Sequence, residues 1–216
     1  HVLNKKVIGK IKEVYPKISR DDIIVLYGSR AKDFFTKDSD VDIMIFTKNY
    51  NYFKDVSITK GLRKKGEDAG FEIKLEHEIY LEVKIQHLKI PPFEVMCYYD
   101  ILSSKALTST HDFKIFQHKV KKKFMDNYDD VLFNSYMHFF NEQKNIEGIL
   151  RRKDTLSNIN LIIKKGIVIQ ALLRLVIVLD KKPYTCDKNL SHEASKTRYW
   201  NNVSKFVKMI HNIDSY

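Results

Sequence analysis

Two short stretches decide the fold. The first is Val25-Leu26-Tyr27-Gly28-Ser29-Arg30-Ala31, and a polar connection separates it from Ser39-Asp40-Val41-Asp42-Ile43-Met44-Ile45-Phe46. An apolar run therefore ends in a Gly-Ser pair, and a second apolar run opens with two carboxylates. Because residues two apart in a strand point to the same side, we expect Asp40 and Asp42 to project together. Two carboxylates held in this way are typical of a site for a hard divalent cation.

The Gly-Ser pair has the chemistry of a phosphate-binding turn. Gly28 has no Cβ, so the backbone can come close to a ligand, and Ser29 offers a hydroxyl and a backbone N–H where a helix would start. Mg²⁺ prefers a few carboxylates together with substrate phosphates, and two such ions can clamp the attacking and leaving oxygens of an in-line displacement. The two stretches together predict phosphoryl or nucleotidyl transfer.

The same residues resemble a known signature. Gly28-Ser29 followed by Asp40-x-Asp42 at the start of the next strand is similar to the motif of the DNA polymerase β-like nucleotidyltransferase superfamily. That superfamily includes minimal nucleotidyltransferases, antibiotic nucleotidyltransferases and CCA-adding enzymes. The resemblance covers roughly residues 1–100 and implies a mixed sheet with helices on one side. It also implies transfer of an NMP from an NTP, expected to be ATP, to an acceptor, with two Mg²⁺ ions and release of pyrophosphate. The nucleotide-binding residues expected in this motif are Gly28, Ser29, Arg30 and Ser39.

The superfamily also has a third carboxylate on a later strand, which completes the metal site and takes the proton of the acceptor. Residues 71–76 and 79–86 both alternate with period two and are predicted to be strands. In the second run Tyr80, Glu82, Lys84 and Gln86 share the face opposite to the apolar residues. Glu82 is therefore our candidate for the third carboxylate and metal ligand beside Asp40 and Asp42. The position is usually Asp in the superfamily, and Glu72 and Glu76 on the neighbouring strand remain alternatives.

The pattern changes along the chain and predicts two domains. Residues 2–14 and 52–69 are predicted to be helices among the strands of an α+β domain, and the helical period continues from residue 112 onward. We place the nucleotidyltransferase catalytic domain at 1–107 and an all-α helical bundle at 108–216, with the active site in the cleft between them. The helix over 154–179 is hydrophobic nearly all round and is predicted to be the centre of the bundle.

The connection after that central helix contains Tyr184 and Lys188. Antibiotic nucleotidyltransferases often carry a Lys or Arg and an aromatic residue after this helix, facing the nucleotide. Tyr184 and Lys188 resemble that arrangement and are expected to bind nucleotide, with Arg174 nearby. A Pro-centred loop with ordinary lysines is the alternative interpretation.

Charge is distributed unevenly over the 216 residues, whose net charge is +11. Residues 1–100 contain 18 Lys and Arg against 16 Asp and Glu, whereas residues 101–216 contain 20 against 11. A positive second half would attract polyanions, so the acceptor could be RNA such as a tRNA 3′ end, a small hydroxylated molecule or a protein hydroxyl. The oligomeric state is left open by the sequence.

The cellular setting is predicted from what the sequence lacks. Cys97 and Cys186 have no zinc-binding or disulfide spacing, no signal-peptide pattern opens the chain, and charged residues interrupt its longest apolar tract. We therefore expect a cytoplasmic protein without a membrane span. The rival to the enzyme is a catalytically inactive nucleotide- or RNA-binding module, or a toxin–antitoxin partner, with the same fold.

Overall fold

The computed structural model describes residues 2–14, 18–32, 35–36, 39–48, 63–65, 68–74, 80–91, 94–151 and 155–213. Its contacts divide the chain into two compact units. The first comprises His1–Pro92 and Asp100–Lys121, and the second comprises Phe93–Tyr99 and Lys122–Tyr216. The boundary that we placed after residue 107 stays a prediction.

The first unit is built on a mixed sheet. Its strands are β1 (Ile23–Tyr27), β2 (Val41–Thr47), β3 (Arg63–Lys65), β4 (Asp68–Lys74), β5 (Tyr80–His87) and β6 (Lys105–Ala106). Helices α1 (Val2–Val14) and α2 (Gly28–Ala31) belong to this unit, and α3 (Val95–Ser103) and α4 (Thr110–Asp126) run from one unit into the other. The strand order is β3-β4-β5-β2-β1-β6, and the β2–β5 pair is parallel whereas the other pairs are antiparallel. The predicted mixed sheet is confirmed.

The helix that we predicted over residues 52–69 is wrong where the structure describes it. Residues 63–65 form β3, and β4 begins at Asp68. The two strands pair in antiparallel register, so backbone N–H and C=O groups of one strand bond to those of the other. The spacing of apolar residues in this segment does not predict that pairing. The rest of the predicted helix lies outside the described residues.

One face of the sheet is buried by α1. Val7 and Ile11 are four apart on this helix and lie in one core cluster with Ile43, Ile45 and Val83 of the sheet. Because neighbours at this spacing share a helix face, a single stripe of α1 covers the sheet. Burying each such side chain contributes about 1.5–3 kcal/mol.

The opposite face is covered only in part among the described residues. At the far end of β2 the ring of Phe46 lies 6.1 Å from the ring of Phe113 and 5.0 Å from that of Phe116, both on α4. Towards the start of β5, by contrast, Glu82 and Lys84 are exposed on this face. Among the described residues of this face, those near the start of β5 are exposed, whereas the far end of β2 is covered.

The second unit is helical in its described part, as predicted. It continues with α5 (Tyr128–Leu150), α6 (Thr155–Leu179), α7 (Asp187–Ser195) and α8 (Trp200–His211). Helix α6 packs against α5, α7 and α8, so the predicted central position of the apolar helix is confirmed. None of the described helices combines the length and the apolar character that crossing a bilayer requires.

An ion pair between α5 and α6 should make the free energy of unfolding depend on pH. The Lys164 Nζ donates to Glu142 Oε2 at 2.7 Å, and the Glu142 side chain is 15% exposed. The hydrogen bond from Lys164 outweighs the effect of burial and lowers the pKa of Glu142. Because the folded pKa lies below the unfolded value, the pair stabilises the fold above about pH 4.3 and loses this effect as the pH falls through the folded pKa.

Glu142→Gln is therefore expected to lower the free energy of unfolding by about 1 kcal/mol at pH 7, and by less at pH 3, in urea titrations. Glu147→Gln changes an exposed residue of the same helix and should leave both values unaltered. A loss that is equally large at pH 3 would contradict this account.

Candidate active site

The bend between β1 and α2 requires glycine at position 28. Gly28 has a φ of 68°, a left-handed conformation that disfavours residues with a Cβ. A Cβ built on Gly28 would also lie 1.8 Å from Asp42 Oδ2 and 2.7 Å from Asp42 Cγ. The missing side chain therefore lets the carboxylate of Asp42 lie directly against the bend.

Three residues lie side by side across the centre of the sheet. The antiparallel register pairs Tyr27 of β1 with Asp42 of β2, and the parallel register pairs Asp42 with Glu82 of β5. Paired residues on neighbouring strands share a face and lie on strands about 4.8 Å apart. We call Tyr27, Asp42 and Glu82 the central row. The structure thus brings together Gly28, Asp42 and Glu82, which lie far apart in the sequence.

The alternatives to Glu82 are placed differently. Glu72 pairs with Glu82 in the antiparallel register of β4 and β5. The backbone of Glu72 therefore lies next to Glu82, on the strand beyond β5. Glu76 lies outside the described residues. The choice of Glu82 as the third carboxylate stays a prediction.

Asp40 lies just before β2 rather than on the strand. Its Oδ1 accepts a hydrogen bond from the backbone N–H of Tyr80 at 3.4 Å, which connects the loop before β2 to the start of β5. Among the residues that the structure describes, no three His, Cys, Asp or Glu side chains converge into a metal-binding group. The set of Asp40, Asp42 and Glu82 as metal ligands therefore stays a prediction.

Arg30 and Ser39 both have partners within the protein. The Arg30 Nε and Nη2 donate to the carbonyl oxygen of Ser39 at 2.8 and 2.5 Å, and Nε also lies 3.1 Å from the carbonyl oxygen of Asp40. The Ser39 Oγ accepts a hydrogen bond from the N–H of Thr36 at 3.0 Å. These contacts hold the segment before β2 next to α2, so the two residues position the aspartates in addition to any contact with nucleotide.

A lysine that we did not select from the sequence lies beside the central row. The Lys84 Nζ is 5.2 Å from the centre of the Tyr27 ring. The Lys84 side chain is only partly removed from solvent, and this partial desolvation lowers its pKa, but the hydrogen bond with Tyr27 and the charges of Asp100 and Asp42 outweigh it and raise the pKa overall. For Tyr27, by contrast, burial is the largest effect and raises the pKa of the hydroxyl group. The alternation of β5 placed Lys84 on the face of Glu82. The register pairs Lys84 with Met44 and Met44 with Val25, so Lys84 reaches Tyr27 diagonally across this face.

A second lysine lies next to the glycine bend. Lys32 follows α2, its side chain is 5% exposed, and its Nζ lies 3.3 Å from Asp100 Oδ1. A buried ammonium group needs such a partner. Nothing in the local sequence around Lys32 indicated that this charge would be buried.

The residues selected in the second half lie in the second unit. The Arg174 Cζ is 5.3 Å from the centre of the Tyr184 ring, so the structure brings Arg174 and Tyr184 together as expected. Lys188 is exposed in the first turn of α7. The roles of Tyr184 and Lys188 in nucleotide binding stay predictions.

Comparison with known proteins identifies the family. The family model described as nucleotidyltransferase domain matches residues 5–178. The chain belongs to the nucleotidyltransferase domain family. The resemblance that we stated from the Gly-Ser and Asp-x-Asp motifs is thereby confirmed. No curated protein matches this nucleotidyltransferase chain significantly.

Two solved structures are similar to this nucleotidyltransferase at low identity. A toxin–antitoxin crystallised with AMP-PNP is 14% identical, with a TM-score of 0.34, and the match covers 59% of this chain and 90% of the other. A nucleotidyltransferase-like protein from Exiguobacterium sibiricum is 10% identical, with a TM-score of 0.46. That match covers 96% of this chain and 66% of the other.

The site residues fit a nucleotide with a divalent cation. Mg²⁺ is usually held by one or two carboxylates, with substrate phosphates and waters as the remaining ligands. Asp42 and Glu82 are paired residues on neighbouring strands, and the Asp42 carboxylate lies directly against the Gly28 bend. The two carboxylate residues and the nearby bend are therefore compatible with this ligand.

Proposed function

We propose that this protein transfers an NMP from an NTP to an acceptor hydroxyl and releases pyrophosphate. The observation that carries the proposal is the register that aligns Asp42 with Glu82 beside the Gly28 bend. Membership of the nucleotidyltransferase domain family supports the same chemistry. ATP is the first nucleotide to test.

The proposed roles follow from the chemistry of each group. Gly28 and Ser29 begin α2, where backbone N–H groups lack acceptors within the helix and can donate to phosphate oxygens. Asp40, Asp42 and Glu82 would hold two Mg²⁺ ions, which supply charge neutralisation and orient the phosphates. Tyr184 and Lys188 remain the proposed nucleotide contacts of the second unit.

The proposed reaction is a displacement at the α-phosphorus. The acceptor oxygen forms a bond to that phosphorus, the bond from the phosphorus to the bridging oxygen of the leaving group breaks, and pyrophosphate departs. Glu82 takes the proton of the acceptor hydroxyl as the oxygen attacks. Most of the rate enhancement then comes from positioning and charge neutralisation.

The activity is tested by incubating the protein with Mg²⁺ and each α-labelled NTP. Total RNA, cell lysate and a panel of aminoglycosides and lincosamides serve as candidate acceptors. Label in one of these acceptors supports the proposal and identifies the acceptor as RNA, protein or small molecule. Binding of NTP without labelled product from any acceptor would contradict it and favour the inactive binding module.

Glu82→Gln is expected to lower the rate of transfer by about a hundredfold or more, because it removes the proposed proton acceptor. Glutamine keeps the size of the side chain, so binding of NTP should change much less than turnover. The rate should be measured at saturating NTP, with Glu13→Gln as the control, since Glu13 is exposed on α1. Unchanged turnover in Glu82→Gln would show that Glu82 is not the proton acceptor, and Glu72 or Glu76 would then be the third carboxylate.

A further inference from the structure

Lys181 has a backbone conformation that lysine rarely adopts. It follows α6 with a φ of 57°, in the left-handed region that favours glycine. Its N–H donates to the carbonyl oxygen of Val178 at 2.8 Å, and the N–H of Lys182 donates to that of Ile177 at 3.3 Å. This pair of bonds is a common helix end whose left-handed residue is usually glycine. The lysine therefore strains the turn, and such strain is typical of functional positions.

The Lys181 side chain lies over an aromatic ring at the start of α5. Its Nζ is 5.9 Å from the centre of the Tyr128 ring, within the range of a cation–π contact. The lysine is exposed, and no carboxylate among the described residues forms an ion pair with it. Its ammonium group therefore remains able to bind a ligand from solvent.

A second cation of the helical unit lies over a second tyrosine. The Arg198 Cζ is 5.0 Å from the centre of the Tyr199 ring, and the Arg198 side chain is 69% exposed. Its Nε lies 3.8 Å from Asp180 Oδ1, which is too long for a hydrogen bond. The other oxygen of Asp180 accepts from Lys182 Nζ at 2.6 Å, so two cations compensate this carboxylate. The guanidinium group is therefore held in place and still accessible to a ligand.

The two cation–tyrosine pairs are neighbours. Burial raises the pKa of Tyr128, the nearby Tyr199 and Asp129 raise it further, and Arg198 lowers it. Such electrostatic effects act over short distances, so both tyrosines and Arg198 lie close together. We call Tyr128, Lys181, Arg198 and Tyr199 the tyrosine–cation cluster.

The chemistry of the tyrosine–cation cluster matches that of an unpaired nucleotide chain. Bases stack on aromatic rings and on the plane of a guanidinium group, and lysine binds phosphate as a point charge. An acidic peptide can pair with the two cations, but its carboxylates leave the flat surfaces without a partner. The bases of a duplex are stacked on each other and are not available to these surfaces.

We propose that the tyrosine–cation cluster binds single-stranded nucleic acid. A base stacks on the exposed guanidinium group of Arg198, and a phosphate of the same strand binds the ammonium group of Lys181. The interaction needs no NTP and no Mg²⁺, so it stands independently of the proposed transfer reaction.

Fluorescence anisotropy of the full chain with a labelled RNA strand of roughly ten nucleotides, in EDTA and without NTP, tests the proposal. A DNA strand of the same sequence is the second probe, and the tighter of the two identifies the sugar. We expect saturable binding of at least one strand. The duplex of the same sequence and poly-glutamate, which offer no free base, should bind about tenfold more weakly or worse. Equal binding of either competitor, or no binding of both strands, would overturn the proposal.

Lys181→Gly separates the role of the side chain from that of the turn. Glycine is favoured at this φ, so the variant should melt at the wild-type temperature or above it. Binding of the strand should nevertheless weaken, and the slope of log affinity against log salt should fall by about 0.7, because one phosphate contact is lost. Lys144→Gln removes a charge that also lies over an aromatic ring of α5, but outside the cluster, and should change neither value. Wild-type affinity and slope in Lys181→Gly would refute the site.

Arg198→Lys tests whether a base stacks on the cluster. Lysine keeps the positive charge but lacks the planar group, so the affinity for the strand should fall about fivefold or more while the salt slope stays the same. Arg151→Lys makes the same change at an exposed residue at the end of α5 and should have no effect. Thermal melts report whether each variant folds, and wild-type affinity in folded Arg198→Lys would contradict the proposed stacking.

Discussion

Replacement of Asp42 by Asn is expected to lower nucleotidyl transfer by about a thousandfold or more while the fold remains intact. Asp42 is the member of the central row that lies directly against the Gly28 bend and pairs with Glu82 in the sheet. Asparagine has the same shape but no negative charge, so it is a poor ligand for Mg²⁺. A thousandfold loss corresponds to about 4 kcal/mol of transition-state stabilisation, which is the order expected for removing a metal contact.

The control for this substitution is Asp21→Asn, which makes the same chemical change at an exposed residue of the first unit. Transfer of label from the α-labelled NTP should be unaffected in the control. Thermal melts should show that both variants fold like the wild type. Transfer at the wild-type rate by a folded Asp42→Asn variant would mean that Asp42 has no part in the reaction.

Replacement of Gly28 by Ala is expected to lower transfer at least a hundredfold and the free energy of unfolding by about 1–3 kcal/mol. Alanine at a φ of 68° is strained. Its Cβ would also overlap Asp42, whose Oδ2, Cγ and Cβ would lie 1.8, 2.7 and 3.0 Å away. Since even the Cβ of Asp42 is this close, rotation of its carboxylate relieves only part of the overlap. The substitution should therefore displace the carboxylate as well as strain the bend.

Gly9→Ala provides the matched control for this change. Gly9 lies in α1, and a Cβ built there meets nothing within 4 Å. Alanine in the middle of a helix is more favourable than glycine by roughly 0.5–1 kcal/mol, so this variant should be slightly more stable and fully active. Urea titrations and the transfer assay measure both effects, and a Gly28→Ala variant with wild-type turnover would contradict the proposed position of Asp42.

The sequence was most informative where chemistry depends on local spacing. The Gly-Ser turn next to Asp42 and the face of Glu82 followed from short motifs and from alternation with period two. The pairing of Asp42 with Glu82 could not be predicted in this way, because a long stretch of chain separates β2 from β5. A shift of one residue in the register of the two strands would turn Glu82 to the other face. The contact of Lys84 with Tyr27 depends on the same register.

Other features depended on contacts that no local pattern encodes. Residues 63–65 form a strand because β4 pairs with them, although the apolar spacing of the segment is helical. Lys32 is buried because Asp100 is close to it.

The most direct test of the central row measures metal binding without any acceptor. Mn²⁺ in place of Mg²⁺ can be titrated into the protein and ATP, and the bound ion can be followed by electron paramagnetic resonance. We predict that Asp42→Asn and Glu82→Gln each weaken Mn²⁺ binding at least tenfold, whereas Asp21→Asn and Glu13→Gln do not. Equal Mn²⁺ affinity in the wild type and in both folded central-row variants would contradict the account.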